Sequence, residues 1–327
     1  MGLSLKMDCT IETCPVSESI YGYRPSIAAN AFFVALFASA AIVQTAQGIR
    51  YRTWTYCTAM VLGCVSEALG HAGRIMLHDD PFGDAGFNLQ ICLLTLAPAF
   101  LAAAIYLMLK HLVLATSPQL SRLLARWYTY IFITCDLISL VLQAAGGGTA
   151  ATADGNMAQL DTGDHMMMAG LSFQVFTLLI FGGLSLEFGA RCYRRRGTPV
   201  LREETAGVRA GARFRWLVAA LATAYAAILV RCVYRIVEMA GGWRNPVMQN
   251  EASFIALDST LCSLAVLCLT VWHPGHCFDY RSINRDELLK EKLQGWRKKN
   301  GDSGEKQPQA VKDVSVSDGS DAELGRA

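Results

Sequence analysis

Charge is scarce in this chain. Only 17% of its 327 residues are Asp, Glu, Lys or Arg, against 53% hydrophobic. The net charge of +2 is close to balance, which leaves no electrostatic footprint for a nucleic-acid partner. No G-x-x-x-x-G-K-[ST] stretch occurs, so ATP hydrolysis by the usual phosphate-loop route is excluded. None of the 11 cysteines forms a C-x-x-C pair of the zinc type. The first 24 residues lack a basic start followed by a short apolar core, so no cleaved leader is expected and the first apolar run should remain in a membrane.

What the chain has instead is apolar runs of roughly 20 residues, each long enough to cross about 30 Å of hydrocarbon as a helix. Seven are read: about Pro25–Gly48, Thr53–Leu77, Asn88–Val113, Trp127–Gly147, Met166–Ala190, Trp216–Ala240 and Ser253–Trp272. The fourth fades into "LQAAGGGTAATADG", which suits a tight turn or an unwound end. The first, third and fifth connections carry Arg50 and Arg52, then Lys110, Arg122 and Arg126, then eight arginines between Arg191 and Arg215. The second and fourth carry acids and no Lys or Arg, and the sixth has Arg244 alone. By the positive-inside rule the odd loops are cytoplasmic. The expected fold is therefore an all-α seven-transmembrane helix bundle, N-terminus outside and C-terminus cytoplasmic. Residues 1–24 form an extracellular or lumenal segment, 25–272 the membrane domain, 273–299 a basic juxtamembrane segment and 300–327 a disordered tail. Leu289, Leu293 and Trp296 share a helical face in the third of these and suit the inner leaflet or a solvated tail equally. Cys9 and Cys14, in the outer segment, either pair as a disulfide or remain thiols. The other cysteines sit mostly in apolar runs, as small hydrophobes.

A charge at bilayer depth costs about 2.5–3.5 kcal/mol on insertion scales, so it should face the bundle interior and find a partner. "VSEALGHAGR" places Glu67, His71 and Arg74 at spacings of four and three. "RCVYRIVEM" does the same with Arg231, Arg235 and Glu238. The fourth run adds Asp136 and Gln143, and the seventh Asp258 with Glu251 at its mouth. Acids and bases match closely, as in an interhelical ion network that either clamps helices or lines a polar path for a headgroup or protons. Pro98 in "TLAPAFLAAAIY" should kink the third span and free a backbone carbonyl that needs a partner.

The stretches "YGYRPSIAANAFFVALF", "SEALGHAGR", "LAPAFLAAAIY", "CDLISLVLQAAGGG", "GLSFQVF", "RCVYRIVEMAGG", "NEASFIALDS" and "HPG" follow one another over about 250 residues. In that order they resemble the fungal seven-span lipid-translocating exporters of the Rta/Rsb, or aminocholesterol-resistance, type. The resemblance implies export of sphingoid bases or related lipids and tolerance of toxic amphiphiles. It carries over as characteristic polar positions Glu67, Arg74, Asp136, Gln143, Arg235, Glu238, Glu251 and Asp258. His71 departs from the resembled pattern, in which Tyr is usual.

The leading reading is a translocase of lipids or toxic amphiphiles, without a cofactor or a metal and not an enzyme. Its partners are membrane lipids or amphiphilic small molecules, its energy comes from a gradient or another protein, and its place is the plasma membrane or an endomembrane such as the vacuole. A seven-span receptor or sensor is the alternative, on topology. An intramembrane metal-dependent lipid hydrolase, drawing on His71, Asp136, His273 and His276, ranks below both.

Overall fold

The computed structural model describes residues 13–116, 121–122, 125–152, 156–194, 212–242 and 245–277. Cys9, most of the arginine-rich fifth connection, the amphipathic stretch at 289–296 and the tail from 300 lie outside the described residues. Among the described residues all regular structure is helical.

A short 3-10 turn at Val16–Glu18 precedes α1 (Ile27–Tyr51), α2 (Trp54–Asp79), α3 (Asp84–Thr116), α4 (Ala125–Ala151), α5 (Met157–Arg194), α6 (Ala212–Ala240) and α7 (Glu251–Val271), with one further turn, α8, at Pro274–Cys277. Six of the long helices are long and apolar enough to cross a membrane: α1 and α3 to α7. Helix α2 has 26 residues, about 39 Å of rise. It is not among the six, because Glu67, His71 and Arg74 dilute its apolar run. The seventh span expected from the sequence is therefore a long helix of mixed polarity.

Helix ends are set by ordinary capping. Ser26 begins α1, its side chain accepting from the Ala29 N–H, and Arg52 ends it in the left-handed region at φ 55°. Asn250 begins α7 by accepting from the Ser253 N–H. These contacts satisfy amides and carbonyls that a helix end would otherwise leave bare.

Sequence neighbours pack side by side from α1 to α7, and α7 returns against α1. Helix α3 is the most buried, touching α2, α4, α6 and α7. An aromatic cluster pins its C-terminal half: Tyr106 lies 4.5 Å from Phe181 of α5 and 5.6 Å from Phe132 of α4, centroid to centroid. The outward faces carry exposed Ile, Leu, Val, Phe and Trp, the pattern of a bundle solvated by lipid.

The glycine run at 146–148 corrects the sequence reading. It remains helical to the end of α4 instead of unwinding. A Cβ on Gly146 would meet the Gly163 carbonyl oxygen and the Met167 N–H nitrogen of α5 at 2.6 Å. The missing side chains let two helices touch backbone to backbone, the small-residue packing common in membranes. Helix α5 also starts earlier than expected, at Met157, since it needs no apolar residues where it pairs with this glycine face.

Candidate functional site

The ion cluster is built from three helices. Glu67 and His71 stand one turn apart on α2, Arg231, Arg235 and Glu238 follow one face of α6, and Asp258 lies on α7. A π-helical turn at Ile255–Ser259 interrupts α7 and leaves both Asp258 and its neighbour Ser259 buried. An extra residue in the turn is what brings adjacent side chains inward, and such turns are frequent at functional positions.

Asp258 is the hub. Its Oδ1 sits 3.1 Å from Arg231 Nε and 3.2 Å from Arg235 Nε. Arg235 Nη1 also donates to Glu238 Oε2 at 2.6 Å. Arg231 reaches Glu67 Oε1 at 3.9 Å, and Glu67 Oε2 is 3.9 Å from His71 Nε2. The His71 ring is fixed from its other side by Asn30 of α1, 2.9 Å from Nδ1, and stacks on Phe33 and Phe37. Glu67 is thus the least closely paired acid: fully buried, with no hydrogen bond to either carboxylate oxygen. Three carboxylates face two guanidiniums, a formal excess of one negative charge.

Arg231 makes a further bond that ties the cluster to α3. It donates to the Leu94 carbonyl. Leu94 lies four residues before Pro98, and proline has no N–H to return to that carbonyl. The carbonyl freed by Pro98 is therefore taken by the arginine. Beside this contact runs a narrow crevice with about 20 Å³ of free space, bordered by Pro98, Gln143, Gln174, Arg231, Arg235 and the thioethers of Met167 and Met239. Its wall combines two guanidiniums, two amides and two adaptable thioethers, a lining of mixed polarity.

The remaining sequence candidates lie elsewhere. Gln143 pairs with Gln174 of α5, donating at 3.2 Å, and both border the crevice without joining the ion cluster. Asp136 is buried one and two turns before Ser139 and Gln143 on the same face of α4, apart from the arginines. Glu251 holds the start of α1, accepting from the Ser26 N–H at 2.7 Å. Arg74 has an aromatic cage instead of a carboxylate. Its guanidinium lies 3.9 Å from the Phe254 ring centroid, 5.4 Å from Tyr21 and 5.9 Å from Tyr23, and it donates to the Tyr23 hydroxyl at 2.8 Å and to Gln90 at 3.3 Å. Burial raises both phenols above their usual range, with Arg74 acting against that rise, so the cage is neutral and holds its cation by ring quadrupoles and the Tyr23 hydroxyl. The residues sequence reasoning passed over are uncharged: Asn30, Gln90, Gln174 and Tyr106. Glutamine within "GLSFQVF" was the one available signal for the third.

Cys14 is disulfide-bonded; Cys9 is outside the described residues. His273 sits at the far end of α7, 3.3 Å from the Thr53 hydroxyl, and takes the Gly275 N–H at 3.0 Å. Among the described residues no group of three or more His, Cys, Asp or Glu side chains is placed to hold a metal ion.

A lipid-facing bundle of long helices around a buried ion cluster defines a multi-pass integral membrane protein. The sequence model of the RTA1-like proteins matches residues 60–281, more than half of the chain. The chain belongs to the RTA1-like family. It is 29% identical over 300 residues to the sphingoid long-chain base transporter RSB1 of Saccharomyces cerevisiae strain Lalvin EC1118, covering 84% of this chain and 78% of that one. It is 24% identical over 261 residues to the probable lipid transporter atnI of Emericella nidulans, covering 79% and 68%. To protoporphyrin uptake protein 1 of S. cerevisiae it is 29% identical over 221 residues, covering 66% and 68%. No solved structure matches.

Proposed function

We propose that the chain translocates amphiphilic lipids with a cationic amine, of the long-chain-base class, and that the ion cluster takes the amine. It does so as a seven-span bundle, N-terminus outside and C-terminus cytoplasmic, α2 being the span whose polarity is spent on the cluster. The plasma membrane is the proposed location. The observation that carries this reading is the excess carboxylate: Glu67 is buried with only distant cations, while the two arginines are already engaged by Asp258 and Glu238. An ammonium entering beside the crevice completes the charge balance, and the cargo's tail stays among the methionines or in lipid. The names of the relatives support transport of this cargo class and do not favour a receptor.

One observation favours a second cargo. The charged groups on the crevice wall itself are Arg231 and Arg235, which would suit an anionic amphiphile if their carboxylate partners moved aside. Reconstitution decides the matter. Purified protein in proteoliposomes is expected to move a fluorescent long-chain base across the bilayer several-fold faster than protein-free vesicles, and Asp258→Asn to lose most of that increment. Movement of an anionic amphiphile alone would assign the second cargo, and movement of neither would end the transport reading.

A further inference from the structure

Asp136 occupies the most anomalous position in the bundle. It is 3% exposed and lies twelve residues into a 27-residue helix of the membrane domain. Neither carboxylate oxygen has a hydrogen-bond partner among the described residues, and no guanidinium or ammonium pairs with it. The polar group beside it is the Tyr106 hydroxyl of α3, itself wholly buried. The two face each other at the margin of hydrogen-bond geometry, and Tyr106 has no other hydrogen-bond partner among the described residues. Phe132 and Phe181 close the space around Tyr106.

An ionised carboxylate cannot persist unpaired in such surroundings, because desolvation is not repaid by any counter-charge. It must carry a proton or hold a cation, and the aromatic walls offer no further oxygen ligands for a metal ion. The other titratable groups facing it are few: Cys232 of α6, and Cys135 beside it on α4. Tyr106 represents α3, and α5, also packed on α4, brings Phe181. None of these supplies a positive charge. A polar track leaves the site along α4. Ser139 follows at one turn and Gln143 at two, and Gln143 donates weakly back to Ser139 at 3.5 Å and borders the crevice with Arg231 and Arg235.

We infer that Asp136 and Tyr106 form a proton-binding site, separate from the ion cluster, that couples amphiphile export to proton entry. This rests on the proposed transport reading. In the step itself one carboxylate oxygen of Asp136 takes a proton from a hydronium ion that reaches it from the outer side past Gln143 and Ser139, leaving water. The neutral acid then donates to the Tyr106 oxygen, and the proton leaves to the cytoplasm when the carboxylate is next exposed there. No bond other than O–H forms or breaks, and the energy source is the proton gradient.

The test uses the full chain in proteoliposomes with a long-chain base as probe, subtracting protein-free vesicles to remove passive trapping of the amine. One pH unit is worth about tenfold accumulation per proton, about 1.4 kcal/mol. The ratio of flux with the gradient to flux without it should exceed one for the wild type and fall to one in Asp136→Asn. A wild-type flux that ignores the gradient overturns the coupling while leaving transport intact. No flux above protein-free vesicles overturns both, so the two failures are distinguishable. If Asp136→Asn yields no folded protein, Tyr106→Phe serves: it should keep a gradient response with its pH midpoint displaced, and an unchanged pH profile would contradict the site.

Discussion

At the scale of single residues, Arg231 binds the bundle together. One guanidinium touches the Leu94 carbonyl on α3, Asp258 on α7 and, at longer range, Glu67 on α2. Removing it takes from Glu67 its nearest guanidinium, leaves Asp258 to Arg235 alone and bares the Leu94 carbonyl. The cost of breaking such a buried pair is about 3–5 kcal/mol, so Arg231→Ala should lower the unfolding temperature in detergent markedly and cut the yield of folded protein. The surface pair makes a control. Glu187 meets Arg191 at 2.6 Å and Arg122 at 2.8 Å, but all three side chains are exposed by a third or more. Exposed ion pairs contribute at most about 1 kcal/mol, and Glu187→Ala should unfold close to the wild type. Equal losses in the two variants would show that burial does not set the energetics. A lysine at 231 would not substitute, because a point-charge ammonium lacks the planar fork that reaches several acceptors at once.

At the scale of elements, the bond between α3 and α6 depends on what Pro98 omits. Pro98→Ala restores an N–H able to claim the Leu94 carbonyl for α3 itself and improves helix propensity. The expected variant is as stable as the wild type yet slower in transport, since Arg231 loses its fixed position beside the crevice. Full transport at normal protein level would mean that this bond is packing alone. The same helix shows how much could be read beforehand. That Pro98 frees a carbonyl follows from covalent structure, but its partner is 137 residues away in sequence and no local rule points to it. Six of the seven expected spans were legible as long apolar helices, because apolar runs are a direct requirement of lipid. The ion cluster was partly legible, through spacings of three and four on α2 and α6. Spacing and charge group Arg74 with it, and charge at the mouth of the last span groups Glu251, but packing sends one to aromatic rings and the other to a helix N-terminus. The glycines at 146–148 were read as a break because glycine is a poor helix former in isolation. Here a close neighbour, α5, outweighs that propensity. The π turn around Asp258 has no sequence signature at all.

For the whole molecule, orientation and charge balance make the remaining claims. Lys and Arg crowd the odd connections, so a cysteine placed near Arg202 should resist membrane-impermeant thiol reagents in intact cells, while one near Ser17 should react. The reverse pattern would invert the bundle and with it the direction of transport. The central claim is that a fixed excess of carboxylate over guanidinium selects a positively charged headgroup. Its most direct test compares, in the same proteoliposomes, a long-chain base with its N-acetylated form, which keeps the chain and hydroxyls but carries no charge. The protein should speed transbilayer movement of the amine and leave the acetylated lipid at the protein-free rate; equal acceleration of both would contradict a role for the ion cluster in choosing the cargo.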